Sequence, residues 1–280
     1  MRWHGRKMLF SLPFPAIDPV LIEWGPLVIR WYALAYIAGV VLGWWLILSL
    51  TKHAELFNSI KPPSAGDIDD FLLWAMLGIV LGGRLGFVLF YNLAFYMQNP
   101  MQVFQIWHGG MSFHGGMAGL VLAAYAFSHK RKLSFLTMVD IIAVVAPIGL
   151  FFGRIANFVN GELFGRPSNV PWAVIFPRGG NVPRHPSQLY EAALEGVLLF
   201  IMLMSAVFIF RIFRRPGMAS GLFLLFYGLA RSTAEFFREP DAQLGFLFDG
   251  ITMGQVLSAP MIIAGFLIVI YALTRSAKQI

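Results

Sequence analysis

Residues 153–168 read GRIANFVNGELFGRPS and follow directly on a largely apolar run. The stretch leaves that run and at once carries two arginines, two asparagines and a glutamate. An arginine in the middle of a bilayer costs about 2.5–3.5 kcal/mol even on the lenient insertion scale. The stretch therefore predicts a helix whose Arg154 faces polar partners among other helices and not lipid.

The composition is that of a membrane protein that crosses the bilayer several times. Of 280 residues, 58% are hydrophobic and 12% are charged, whereas soluble domains carry about 25% charged residues. The chain has no cysteine, which excludes disulfides, a thiolate nucleophile and a cysteine-ligated metal. Any thiol in its chemistry must therefore arrive on a substrate. The net charge of +7 suits anionic membrane lipids, and neither a cofactor nor a nucleic-acid partner is expected.

Seven segments are long and apolar enough to form membrane-spanning helices of about 20 residues. Cytoplasmic loops carry the excess of Lys and Arg, so the run HKRK at 129–132 indicates an outer N-terminus and a cytoplasmic C-terminus. We predict one membrane domain over 1–280, with an N-terminal arm over 1–26 and an outer head region over 159–187. The predicted spans are residues 27–50, 68–91, 112–128, 135–158, 188–210, 219–237 and 254–274.

Some patterns are best explained by packing or capping. Glycines four residues apart, such as Gly82 with Gly86 and Gly115 with Gly119, let helices approach closely. The acidic run DIDD at 67–70 could resemble a magnesium site, but it suits the N-terminal cap and acidic first turn of a helix better.

Other polar residues within the spans are individually more typical of structural roles. Gln188, Glu191 and Glu195 lie at i, i+3 and i+7, on one face of the fifth span. Arg84 lies seven residues before Tyr91 in the second span.

The opening stretch leaves two interpretations of Arg154. Arg154 and Asn157 are three residues apart, so a helix places them on one face. Asn160 and Gly161 are expected to end that helix, with Glu162 just beyond it. A guanidinium suits a phosphate or a carboxylate equally. The arginine could therefore bind a ligand or form an internal Arg–Glu pair that locks helices together, and the energetic cost favours neither.

A second charged group lies in RSTAEFFREPD at 231–241. Arg231, Glu235 and Arg238 fall at i, i+4 and i+7, on one helical face. Arg231 and Glu235 could simply neutralise each other, but two cations and one anion leave a positive surplus. If this surplus faces the same space as Arg154, two arginines form a bidentate site for an anion.

The motif HGGMSFHGG at 108–116 supplies a candidate base. His108 and His114 are six residues apart, which is not one helical face, so a metal pair is not expected. His114 could take a proton near neutral pH, and its flanking glycines could admit a substrate. A histidine that only packs is the plainer alternative.

These groups together suit an anionic lipid substrate. We expect its phosphate on Arg154 and Arg231, where positioning and charge stabilisation of a leaving phosphate would lower the barrier. Without a cysteine or a nucleophilic-serine elbow, direct transfer to an incoming nucleophile is simpler than a covalent enzyme intermediate.

Ordered motifs then point to a family. GRIANFVNGELFG, HGGMSFHGG, HPSQLYEA, RSTAEFFREPDAQ and MGQ resemble, in the same order, the blocks of bacterial prolipoprotein diacylglyceryl transferases. The resemblance implies seven transmembrane helices in the bacterial inner membrane, with a central cavity facing outward. It also implies transfer of the sn-1,2-diacylglyceryl group from phosphatidylglycerol to the lipobox cysteine of a prolipoprotein signal peptide, with release of glycerol 1-phosphate.

The resemblance also suggests roles for individual residues. Arg154 matches the arginine that binds phosphatidylglycerol, Arg231 a second essential arginine, and His114 a histidine that assists thiol deprotonation. Other positions important for activity match Tyr32, Asn157, Glu162, Gly165, Glu235 and Arg238. Another phosphatidylglycerol-dependent transferase and a lipid transporter are the competing functions.

Overall fold

The computed structural model describes residues 12–15, 17–25, 27–58, 60–240, 245–247 and 250–277. Residues 1–11, 16 and 26 of the predicted N-terminal arm lie outside this description, as do residues 241–243 of the RSTAEFFREPDAQ motif. The chain divides into two compact units, which we call the inserted unit (46–142) and the discontinuous unit (1–45 with 143–280). The single membrane domain over 1–280 stays a prediction.

Helices account for most of the described residues. A π-helical segment, Ala192–Leu198, joins two α-helical pieces into one helix over 187–210. The α-helices are α1 (Trp31–Thr51), α2 (Ala65–Phe90), α3 (Leu93–Gln98), α4 (Phe113–Arg131), α5 (Phe135–Val159), α6 (Ser187–Glu191), α7 (Leu199–Phe210), α8 (Met218–Ala234) and α9 (Met253–Ala277). Short 3₁₀ turns cover Ala54–Leu56, Pro100–Phe104, Ile106–His108 and Ile212–Arg214.

Short strands occur in the discontinuous unit. They are β1 (Leu12–Pro13), β2 (Val20–Trp24), β3 (Leu27–Arg30) and β4 (Val174–Ile175). β1 pairs in parallel with β4, which connects the N-terminal arm to the head region. β2 and β3 form an antiparallel hairpin. The first predicted span, about 27–50, is helical from Trp31 to Thr51, and residues 27–30 pair with β2 instead.

Among the described residues, five helices are long and apolar enough to cross a membrane: α1, α2, α5, the 187–210 helix and α9. The other two predicted spans are also helical. However, α8 has 17 residues, and the 19-residue α4 is less apolar because it carries glycines and a basic end. The length and hydropathy of these helices support a protein that crosses the membrane several times.

Glycine-mediated packing dominates the inserted unit, as the spacing predicts. A Cβ atom on Gly86 would lie 2.8 Å from the Cα of Gly115, and one on Gly82 would lie 2.8 Å from the Cα of Gly119. The backbones of α2 and α4 are therefore in direct contact. Gly115, which follows His114, lies against α2 and leaves no space on that side.

The acidic run at 67–70 caps α2, as predicted. The Ser64 hydroxyl accepts a hydrogen bond from the Asp67 amide at 3.2 Å, and the Asp67 carboxylate accepts one from the Ser64 amide at 3.0 Å. Arg131, at the end of α4, forms an ion pair with Asp70. The acidic side chains therefore fix one end of the α2–α4 pair.

Candidate functional site

A largely buried group of charged side chains lies where α5, the 187–210 helix and α8 meet in the discontinuous unit. We call it the Arg–Glu cluster; its members are Arg154, Glu191, Glu195, Arg231, Glu235 and Arg238. Three arginines and three glutamates cancel formally. The positive surplus predicted for residues 231–238 is therefore neutralised by carboxylates from another helix, which sequence proximity could not reveal.

Arg154 is held by two carboxylates of the 187–210 helix. Its Nη1 lies 2.7 Å from Oε2 of Glu191. Its Nε and Nη2 donate to Oε2 of Glu195 at 3.2 and 2.9 Å. Both glutamate side chains are at most 1% exposed, whereas the Arg154 side chain is 16% exposed. The Arg–Glu lock is thus present, with part of the arginine left accessible.

Arg231 reaches the same carboxylates from α8. Its Nη1 lies 3.3 Å from Oε2 of Glu191 and 3.6 Å from Oε1 of Glu195. These contacts are ion pairs by distance, but Nη1 makes no hydrogen bond in either. Nη2 makes a close contact with Glu235. One oxygen of Glu191 therefore lies within 3.3 Å of both guanidinium groups.

Local backbone structure brings Glu195 to Arg154. Glu195 lies in the π-helical segment, which has a wider turn than an α-helix. The next residue, Gly196, lies so close to α5 that a Cβ atom on it would be 2.9 Å from the Cα of Phe151. The glycine allows the two helices to approach one turn before Arg154. Such π-helical turns frequently occur at functional sites.

Three of the predicted site residues form a separate hydrogen-bonded network at the end of α5. The amide of Asn157 donates to Oε1 of Glu162 at 2.9 Å and to the hydroxyl of Tyr32 at 3.4 Å. Gly161, with φ +63°, turns the chain after α5 and lets Glu162 fold back. Asn157 is thus near Arg154 in sequence, but its polar partners differ from those of the arginine.

Gly165 has a backbone role in the head region. Its amide donates to the carbonyl of His185 at 2.9 Å, and it forms an antiparallel bridge with Arg238. A Cβ atom there would lie 2.7 Å from the Cβ of His185. This close approach requires glycine, so Gly165 acts here through the backbone. It connects the head region to the chain that follows α8.

Arg166 binds backbone carbonyls that follow α8. Its guanidinium donates to the carbonyls of Glu235 at 3.0 Å and Arg238 at 2.8 Å. The helix ends at Ala234, before the predicted residue 237, and Arg166 supplies donors to the chain beyond it. Burial lowers the pKa of the Arg238 guanidinium, and the positive charge of Arg231 lowers it further. The Nη1 atom of Arg238 lies 4.0 Å from Oε1 of Glu235.

His114 lies in the inserted unit, at the second residue of α4, and is exposed. The hydroxyl of Ser112 caps this helix by accepting from the amide of Gly115 at 3.2 Å. The buried Arg84 has the structural role expected for it. It donates to backbone carbonyls of the segment before α4, including those of Gln102 and Gly109, both at 2.6 Å.

Glu191 and Glu195 have the structural role expected of them, and the structure adds which groups they pair with, because they bridge Arg154 and Arg231. The available signal was their shared face in an apolar helix, since buried carboxylates require cationic partners. Which cations they meet depends on tertiary packing.

The helices and the Arg–Glu cluster define a multi-pass membrane protein with a neutral, largely buried ionic site. The family model described as "Prolipoprotein diacylglyceryl transferase" matches residues 19–271.

Similar proteins named phosphatidylglycerol–prolipoprotein diacylglyceryl transferase occur in several bacteria. The one from Rhodospirillum rubrum is 57% identical over 276 residues, which cover 98% of each chain. Those from Azospirillum brasilense and Methylocella silvestris are 57% and 54% identical, each covering 96% of this chain and 99% of theirs. The chain belongs to the prolipoprotein diacylglyceryl transferase family.

Proposed function

We propose that this protein transfers the sn-1,2-diacylglyceryl group of phosphatidylglycerol to the lipobox cysteine of prolipoprotein signal peptides. The products are a thioether-linked peptide and glycerol 1-phosphate. The names of its relatives support the substrates. The observation that carries the proposal is the convergence of Arg154 and Arg231, from different helices, on the same carboxylate oxygen.

The pairing with Glu191 and Glu195 prepares the arginines for an anion. Holding two guanidinium groups close together would be unfavourable without the glutamates, because like charges repel. Both arginine side chains keep some exposed surface, 16% for Arg154 and 13% for Arg231. A phosphate that approaches this surface would meet donors whose positions are already fixed, which is the arrangement that best stabilises developing charge.

The transfer step follows from this arrangement. The thiolate sulfur of the peptide attacks the glyceryl carbon that carries the phosphate ester. A carbon–sulfur bond forms, the carbon–oxygen bond breaks, and the electron pair leaves on the phosphate oxygen of glycerol 1-phosphate. Arg154 and Arg231 bind that phosphate and stabilise the charge it gains. The thiol proton passes to a base before or during the attack.

The remaining predicted residues have supporting roles. We assign Tyr32, Asn157 and Glu162 to the lipid head group, because their network offers hydrogen-bonding groups beside the turn after α5. Glu235 and Arg238 complete the charge balance around Arg231, and Gly165 connects the head region. His114 is proposed as the base that takes the thiol proton, on the grounds of imidazole chemistry.

We propose seven membrane spans, by adding α4 and α8 to the five apolar helices. At 1.5 Å per residue, α4 is about 28 Å long and α8 about 26 Å long, close to the bilayer core of about 30 Å. The basic end of α4 at 129–131 favours the cytoplasmic side. The active site would then open to the outer side of the bacterial inner membrane, with the N-terminus outside.

A reconstituted transfer reaction tests the proposal. Purified protein in detergent would be mixed with phosphatidylglycerol and a synthetic lipobox peptide, and the peptide mass and free glycerol phosphate would be measured. We expect the peptide to gain one diacylglyceryl group for each glycerol phosphate released.

Matched substrates separate this reaction from its competitors. A peptide with serine in place of the cysteine, and phosphatidylethanolamine in place of phosphatidylglycerol, should both give no product. Transfer of a phosphatidyl or acyl group would indicate a different transferase. Lipid movement across vesicles without any peptide product would indicate a transporter, and either result would overturn the proposal.

A further inference from the structure

The MGQ motif at 253–255 begins α9, and that helix start is fixed by reciprocal hydrogen bonds. The hydroxyl of Thr252 accepts from the amide of Gln255 at 3.3 Å. The side-chain oxygen of Gln255 accepts from the amide of Thr252 at 3.1 Å. This capping arrangement satisfies both donors and holds the first turn in one position. Gly254 lies in that turn.

Glu235 of the Arg–Glu cluster lies directly against Gly254. A Cβ atom on Gly254 would be 2.5 Å from the carboxylate carbon of Glu235 and 2.9 Å from its Cγ. The Glu235 side chain therefore occupies the space that any other residue at position 254 would fill. Glu235 is buried and makes its close contact with Arg231 from this position.

We propose that Gly254 is a positioning residue that acts through Glu235 on Arg231. The missing Cβ allows the first turn of α9 to close on the carboxylate, and the positive end of a helix favours a negative charge at that place. Glu235 is thereby held where it orients the guanidinium of Arg231 for the phosphate. This inference rests on the function proposed above for the cluster.

Alanine at position 254 measures the effect. The carboxylate carbon would have to move from 2.5 Å to at least 3.4 Å from the new Cβ, the start of ordinary contact. Displacements of about 1 Å in a catalytic group can reduce turnover by about 10²-fold. We expect Gly254→Ala to reduce kcat by that order and to leave the KM for the lipobox peptide nearly unchanged.

A double-mutant cycle separates positioning from simple loss of packing. In Glu235→Ala the carboxylate and the Cγ, the atoms nearest to the added Cβ, are absent. We expect Gly254→Ala to reduce kcat in the wild-type background but to have little further effect in the Glu235→Ala background. Equal reductions in both backgrounds, or a normal kcat in Gly254→Ala, would overturn the inference.

Gly66→Ala is the matched control, since Gly66 is also the second residue of a helix. The nearest atom to its added Cβ would be 4.0 Å away, so kcat should stay unchanged. The wild type, Gly254→Ala, Glu235→Ala and the double variant are also compared by thermal unfolding, which does not depend on activity. Here too, Gly254→Ala should lower Tm in the wild-type background but not in the Glu235→Ala background, and equal losses would overturn the inference. Failure of the wild-type protein to form a thioether would contradict the proposed function alone.

Discussion

Replacement of Glu195 by glutamine tests whether the Arg–Glu cluster is an energetically coupled unit. The amide keeps the shape of the carboxylate but removes its charge. Glu195 is fully buried, and its Oε2 accepts two hydrogen bonds from Arg154, at 2.9 and 3.2 Å. The variant therefore weakens two hydrogen bonds, removes the charge that pairs with Arg231, and leaves the cluster with one excess positive charge.

The expected loss of stability follows from these contacts. A hydrogen bond to a charged group contributes about 1.5–3 kcal/mol, and a neutral one about 0.5–1.5 kcal/mol. Two weakened bonds therefore reduce the free energy of unfolding by about 2–3 kcal/mol. Removal of one partner from a buried ion pair reduces the free energy of unfolding by about 3–5 kcal/mol. The loss for Glu195→Gln should therefore be near the lower end of that range.

The assay is reversible unfolding in mixed detergent micelles for the wild type, Glu195→Gln, Arg154→Gln and the double variant. Two neutral amides can hydrogen-bond to each other, so the double variant should be more stable than the sum of the single losses implies. We expect a coupling free energy of about 2 kcal/mol. A coupling below about 0.5 kcal/mol would refute the lock, because unconnected sites add to within that margin.

Arg154→Lys and Arg231→Lys should each lower kcat by about 10²–10³-fold in the peptide assay, because lysine keeps the charge but loses the planar set of guanidinium donors. A normal rate in either variant would show that the arginine only holds the helices together. Gly119→Ala should lower the free energy of unfolding by about 1–3 kcal/mol, because the new Cβ overpacks against α2. Gly149→Ala is the control, since its Cβ would meet no atom within 4 Å, and it should lower the free energy of unfolding by less. Equal losses in the two variants would contradict overpacking as the cause. Burial lowers the pKa of His185. The neutral form of this side chain therefore contributes to the stability of the fold above the ordinary histidine pKa of about 6.5. This contribution is lost as the pH falls through the lower pKa of His185 in the folded protein. The unfolding midpoint should therefore fall between about pH 7.5 and about pH 5.5 by more in the wild type than in His185→Gln, and identical pH profiles would count against this assignment.

Hydropathy was sufficient to locate the long helices. Each predicted span overlaps one of them, because a run of about 20 apolar residues matches the length of a membrane-spanning helix, which satisfies its own backbone groups. The ends of the spans were less predictable. Residues 27–30 pair with a neighbouring strand, and Arg166 takes the carbonyls after Ala234. Both ends thus depend on partners that hydropathy does not contain.

The sequence identified the arginines of the candidate site but not the glutamates that pair with them. Arg154 and Arg231 stood out because a charge in an apolar segment is costly. Their partners Glu191 and Glu195 did not, since the pairing joins three helices that are distant in sequence. The place of Gly254 against Glu235 likewise depends on how α9 begins beside the end of α8.

A structure of the protein with phosphatidylglycerol bound would test most directly whether both arginines bind the lipid phosphate. We expect phosphate oxygens within about 3 Å of guanidinium nitrogens of both Arg154 and Arg231, with Glu191 and Glu195 still beside them. A lipid phosphate bound elsewhere, with both arginines paired only to the glutamates, would contradict this expectation.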